Sequence, residues 1–242
     1  VVSGISYLSY LLKRYVFHES GTLVSGIIGG LYSSTATISV LARKSRKASE
    51  QEATDYVAAM LLAVSMMFLR FMILILIFSR EIFLSIYPYL LTMAVVAAIV
   101  AWFIHSRQKR PEDQSAETEE DDSSNPLEFK VALIFAVLFV IFTFLTHYTL
   151  VYAGTGGLNL LSFVSGFSDI TPFILNLLQN TGSVAALIIT ACSMQAIISN
   201  IMVNMFYALF FAGKGSKLRP WILGGFGVVI ACNLVLLLFF YI

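Results

Sequence analysis

Five hydroxyl side chains, Ser33, Ser34, Thr35, Thr37 and Ser39, fall within seven residues of an otherwise apolar segment. A second apolar segment carries Ser168, Asp169 and Thr171. Asp169 is the only acid inside an apolar run away from its ends, and Arg70, in "MFLRFMILIL", is the only deeply placed base. Asn200 and Asn204 sit four residues apart, which puts both on one face of a helix. These groups can bind a charged or polar solute. Ser33, Ser34, Thr35, Ser168, Thr171 and the two asparagines offer oxygens to a cation, with Asp169 as the one candidate metal ligand. Helix N-termini at these positions, together with Arg70, would instead favour an anion. The sequence leaves the sign open. Arg70 and Asp169 can also form an ion pair that only locks the chain together, because charges inside an apolar segment need a partner.

Composition sets the surroundings of these groups. The 242 residues are 58% hydrophobic and only 12% charged, about half the charged share of a soluble domain. The apolar residues form runs at 1–17, 21–42, 56–79, 83–104, 129–153, 157–178, 183–212 and 221–242. Runs of about 20 apolar residues cross a bilayer as helices. The expectation is an all-α integral membrane protein. The chain opens on Val1 within a short apolar run, so its first helix is expected to be truncated. Between the fourth and fifth runs lies "SRQKRPEDQSAETEEDDSSNP", polar, acidic in its second half and free of aromatic residues. It reads as a linker over 106–127 between membrane repeats at 1–105 and 128–242. Cys192 and Cys232 lie in apolar runs without metal-ligand spacing, which suits packing.

The two halves resemble each other. Aligning Gly30 with Gly166 brings Gly21 onto Gly157, Ser33 onto Asp169 and Thr35 onto Thr171; a slightly smaller shift pairs Ser65 with Ser199 and Arg70 with Asn204. Charge then selects a topology. If every run spans, six basic loop and end residues face eight across the membrane, which is no orienting signal. If the two Gly/Ser/Thr-rich runs enter and leave by one face, thirteen stand against Arg80 alone. Each half then has three spans and one broken, re-entrant hairpin. An odd number of spans gives the halves opposite orientation, the inverted-repeat plan of many transporters. The basic side is expected to be cytoplasmic, in the inner membrane of a prokaryote.

Local chemistry fits broken helices. Gly166 is expected to end one short helix in a left-handed conformation. Ser168 or Asp169 then caps the next, with Pro172 in its first turn. In the first half Gly29 and Gly30, followed by Ser33 or Ser34, take the same parts. Broken backbone near the midplane must be buried in protein or line a wet cavity. Tyr87, Tyr89, Trp102 and Trp221 lie near run ends, as interfacial anchors do.

The segment "GGLYSSTATISVLARKS" resembles the "GGL-SSTA … LAR-S" motif of an uncharacterised bacterial and archaeal membrane domain that often follows an MgtC/SapB-type domain. "SGFSDITPFILNLLQ" and "SNIMVNMFYALFFAGK" resemble its second-half motifs. That pattern often has lysine where this chain has Asn204, so a positive charge is not carried over there. By association, the resemblance implies magnesium or another divalent cation, and an MgtC/SapB-type domain as a partner.

The functional expectation is transport of a small ion or solute through a midplane site. The alternative is a membrane-embedded scaffold that binds a partner protein and moves nothing. A cavity reaching Asp169 would favour transport, and tightly packed small residues without one would favour the scaffold. No enzyme is expected, since no phosphate loop, His/Cys/acid cluster or nucleophile with a nearby base is present. No cofactor is implied. Expected partners are the lipid bilayer, the transported solute and a second copy of the chain. A net charge of +1 gives no reason to expect nucleic acid.

Overall fold

The computed structural model describes residues 21–46, 48, 50–107, 129–179, 184–213 and 216–241. The apolar run at 1–17, Lys13 and Arg14, and nearly all of the 106–127 linker lie outside the described residues.

The long apolar runs form helices, as their length requires; among the described residues there is no strand. In chain order they are α1 (Thr22–Lys44), α2 (Glu50–Phe78), α3 (Arg80–Ser106), α4 (Phe129–Ser165), α5 (Ile170–Gln179), α6 (Ala186–Ala212) and α7 (Arg219–Tyr241). Five described segments are long and apolar enough to cross a membrane: Thr22–Lys44, Thr54–Phe78, Arg80–Ser106, Ala186–Ala212 and Arg219–Phe239. The third helix starts at Arg80 because the Ser79 hydroxyl accepts the Ile82 N–H at 3.4 Å.

Two of the helices are broken inside. α1 leaves helical geometry at Ser33 (φ −156°, ψ 109°), giving arms 22–32 and 34–44, each about 16 Å long. α4 breaks at Gly154 (φ 57°, ψ −148°), a left-handed position that favours glycine. Beyond it, Gly156–Ser165 forms a short apolar helix.

One apolar core unites the chain. Phe68 and Phe71 of α2, Phe173 of α5 and Phe226 of α7 are fully buried within it. Outward, Leu84, Leu91, Val95, Ile99 and Trp102 form an exposed apolar stripe along α3. A continuous apolar face of that length suits lipid rather than water. Tyr89 is not the interfacial anchor expected from its place in the sequence. It is 8% exposed and donates its hydroxyl to Asn233 Oδ1, joining α3 to α7.

Candidate functional site

The first break is built as the hydroxyl pattern implies. Ser33 is the cap: its Oγ accepts the Ala36 N–H at 3.3 Å, satisfying one orphan donor of the second arm. The last turn of the first arm leaves carbonyls without partners. Arg70 reaches from α2 to one of them, donating from Nη1 to the Tyr32 carbonyl at 2.7 Å. Gly30 allows the first arm to lie on α2: a Cβ there would sit 2.5 Å from Ala63 Cα, and at Gly26 one would sit 2.3 Å from the Ala59 carbonyl oxygen. Gly29 has a different neighbour. A Cβ there would sit 2.5 Å from Thr37 Oγ1 and 2.8 Å from its Cγ2. Residues eight apart in a straight helix are separated by about 12 Å, so the arms fold back on each other at Ser33.

The second break falls between α4 and α5, at 166–169. Asp169 is its cap, its Oδ1 accepting the Thr171 N–H at 2.9 Å, and Pro172 follows in the first turn, where no N–H is missed. The expected left-handed Gly166 is corrected: the positive-φ glycines among the described residues are Gly154 and Gly213. Gly166 is needed for close approach, since a Cβ would lie 2.4 Å from the Ser199 side chain and 2.8 Å from the Asn200 nitrogen. Here too the neighbouring long helix supplies donors to the carbonyls of the last turn. Ser199 Oγ donates to the Phe163 carbonyl at 2.6 Å, and Asn200 Nδ2 to the Gly166 carbonyl at 3.2 Å. Asn204 stands behind, donating from Nδ2 to Asn200 Oδ1 at 3.2 Å. Ser168 donates to the Ser165 carbonyl at 3.1 Å.

The two breaks meet at one cavity of about 540 Å³. Of the residues expected from sequence, Ser33, Ser34, Thr35, Arg70, Ser168, Asp169 and Asn200 line it. Thr171 and Asn204 do not; both are buried, and Thr171 Oγ1 and Asn204 Oδ1 find no hydrogen-bond partner among the described residues. Arg70 and Asp169 share the cavity without forming the ion pair that the sequence allows. Asp55 does find a partner, lying 2.6 Å from His105 Nδ1 between α2 and α3. No group of three His, Cys, Asp or Glu side chains placed to hold a metal exists among them. Asp169 would therefore need hydroxyl and carbonyl oxygens to complete a cation site.

Sequence reasoning missed the way out of the cavity. Its wall continues along Thr35, Ser39 and Arg43 of α1, and along Asn200, Val203, Tyr207 and Phe211 of α6. Both sets are spaced three or four residues apart, so each is one helix face. That periodicity was the available signal. From Ser33 to Arg43 the wall runs about 15 Å. At its end Arg43 stands 4.3 Å above the Phe211 ring. Arg46 donates from Nε to the Phe211 carbonyl and from Nη2 to the Phe210 carbonyl, the latter at 3.3 Å. These contacts place the C-terminal ends of α1 and α6 side by side.

The lining groups are hydroxyls, one side-chain amide, two guanidinium groups and one carboxylate, a set suited to holding a polar or charged solute. No solved structure matches the chain. It is similar to an "Uncharacterized protein" of Aquifex aeolicus (strain VF5), 25% identical over 227 residues, 91% of this chain and 96% of that one. The family described as "Domain of unknown function (DUF4010)" matches residues 1–212. That stretch holds both breaks and the whole wall of the cavity, and the chain belongs to this family.

Proposed function

We propose that this protein is a transporter or channel-like protein of a prokaryotic cytoplasmic membrane, which binds a small ion or solute where the two broken segments meet. The observation that carries this reading is the cavity. It starts at both breaks, includes Asp169, and follows α1 and α6 to their C-terminal ends. About 15 Å is half the hydrocarbon thickness, so the cavity has the reach of a half-channel from midplane to one surface. A scaffold that only packs small residues against small residues has no use for such a space.

The architecture in this reading is two inverted repeats, each with a re-entrant hairpin, and several contacts support it. In the first half, Gly26 and Gly30 abut residues thirty-three positions on, Ala59 and Ala63. In the second, Asn159 meets Cys192 and Gly166 meets Ser199, again thirty-three positions on. Ser33 and Asp169, which align in the two halves, are both helix caps. α2 follows directly on α1, and His105 at the end of α3 pairs with Asp55 near the start of α2. The end of α6 joins the end of α1 through Arg46. The first hairpin therefore starts and finishes at the basic end. The second starts and finishes at the other end, where α6 begins.

A flux screen in proteoliposomes over small cations and anions tests the proposal. Wild-type protein is expected to move at least one solute faster than empty vesicles. Ser39→Trp, which fills the middle of the cavity, is expected to stop it. Flux that survives Ser39→Trp in folded protein, or no flux for any solute, would refute the reading.

A further inference from the structure

We infer that the solute held in this cavity is a small oxyanion, bound through Arg70 and the N-terminal end of the second arm of α1. The inference deepens the transport reading and takes the same cavity as its site.

Arg70 is the first argument. It lies twenty residues into α2, counted from Glu50, and lines the cavity. It forms no direct ion pair, although Asp169 acts on it electrostatically across the cavity, and its Nε has no hydrogen-bond partner among the described residues. Its contact with the Tyr32 carbonyl answers a dipole rather than a full charge. Cations at such depth are held by a counter-charge; Asp169 supplies one only at a distance, and the cavity leaves room for an anion in direct contact.

The polarity of the breaks is the second argument. Each break presents the negative, carbonyl end of one arm and the positive, N–H end of the next. Donors from neighbouring helices cover carbonyls at both breaks: Arg70 at the first, Ser199 and Asn200 at the second. At the positive ends, Asp169 covers α5. The second arm of α1 has only its own Ser33 hydroxyl on the Ala36 N–H. Ser34 and Thr35 open this arm and line the cavity, and the first turn of a helix is where backbone N–H groups are to spare. The first break therefore sets a helix N-terminus beside a guanidinium at the cavity wall. That combination matches the oxygens of a carboxylate, nitrate or sulfate.

Charge along the wall agrees. Arg43 and Arg70 stand against Asp169 alone among the lining residues, a net of +1. With Arg43 at the far end, the whole passage favours entry of negative ions. Asp169 then acts as a like charge that limits anion affinity, opposite to its part in a cation site.

The test uses the full chain in detergent and in vesicles. Thermal unfolding is measured at constant ionic strength in potassium acetate, nitrate, sulfate and chloride. Osmotic swelling of vesicles in the same salts with valinomycin reports anion entry. At least one oxyanion is expected to stabilise the wild type more than chloride does. Arg70→Gln should weaken that binding by about tenfold or more, the loss of a charged hydrogen-bonding partner. Arg70→Lys should keep part of it, and Asp169→Asn should strengthen it. If Arg70→Gln fails to fold, the opposite shifts in Arg70→Lys and Asp169→Asn decide. Absence of any oxyanion effect, or oxyanion binding unchanged in Arg70→Lys and weakened in Asp169→Asn, overturns the inference. Cation flux lost in Asp169→Asn would overturn it while leaving transport intact. Arg70-dependent oxyanion binding with no flux of any solute would keep the anion site and remove the transport reading.

Discussion

Replacing Gly29 by alanine puts a methyl group where the fold-back at Ser33 leaves no room. The new Cβ would meet Thr37 Oγ1 at 2.5 Å, Cγ2 at 2.8 Å and Cβ at 3.2 Å. Rotation of Thr37 cannot relieve this. Its two heavy branches fill two of three staggered positions, and both occupied positions lie against the new methyl. Any rotamer leaves at least one branch in place, so the arms must part by roughly 1 Å. Overpacking of this kind costs about 1–3 kcal/mol. Thr37→Ala removes both branches and leaves 3.2 Å as the nearest approach, which a shift of a few tenths of an ångström absorbs. The double variant should therefore recover most of the loss, a coupling of about 1–2 kcal/mol between positions eight apart. Thermal unfolding of the two singles and the double, in one detergent, measures it. Gly224→Ala, with no atom within 4 Å of the new methyl, is the neutral control. In a continuous helix these positions sit about 12 Å apart. Strictly additive effects, or a neutral Gly29→Ala, would refute the fold-back.

Two further outcomes are expected. Cysteines at the exposed positions Lys44, Ser106 and Lys217 should label from one face of the membrane, and cysteines at Arg80 and Gly156 from the other; labelling of Lys44 and Ser106 from opposite faces would contradict the re-entrant topology. Ser45 is a poor labelling site because it is buried, with its hydroxyl on the Ala42 carbonyl. Arg70→Gln should cost about 1.5–3 kcal/mol through the lost bond to the Tyr32 carbonyl. Arg70 and Asp169 form no direct ion pair and act on each other only across the cavity, so adding Asp169→Asn should rescue little of this loss, and thermal unfolding that shows the double variant recovering fully would reveal a buried ion pair instead.

The helices and their breaks were legible because each break needs residues that an apolar segment otherwise excludes. Ser33 or Ser34, and Ser168 or Asp169, announce caps by type and position, Pro172 marks a first turn, and the structure selects Ser33 and Asp169. The end of the run at 129–153 matches the break at Gly154 for the same reason, since the sequence there turns to Gly and Thr. What escaped depends on neighbours distant in sequence. The sequence suggests a left-handed Gly166, yet its need for glycine comes from Ser199 and Asn200 on another helix. Arg46 is, by its place in the sequence, one more basic loop residue, whereas it caps the last carbonyls of α6. Tyr89 sits near a run end by numbering, but Asn233 of α7 draws it inside. Local chemistry carries no information about which helix will lie alongside.

The aligned halves also show where the sequence comparison slips. A shift pairing Arg70 with Asn204 aligns two polar residues, but their jobs differ: Arg70 holds a carbonyl at its break, and Asn204 holds Asn200. By contact, Ala63 matches Ser199, since each lies under the aligned glycine, Gly30 or Gly166. Carbonyl capping is then done in the first half by a full positive charge, Arg70, and in the second by a neutral hydroxyl and amide, Ser199 and Asn200. The cap of the next arm reverses this, neutral at Ser33 and anionic at Asp169. The first break is left with excess positive charge, and the second has its helix end matched by a carboxylate. The two breaks thus become unequal through a few side chains, and the inequality falls on the wall of the cavity. A solute that distinguishes the two breaks will do so by charge, which makes exchange of the capping residues between halves more informative than their removal.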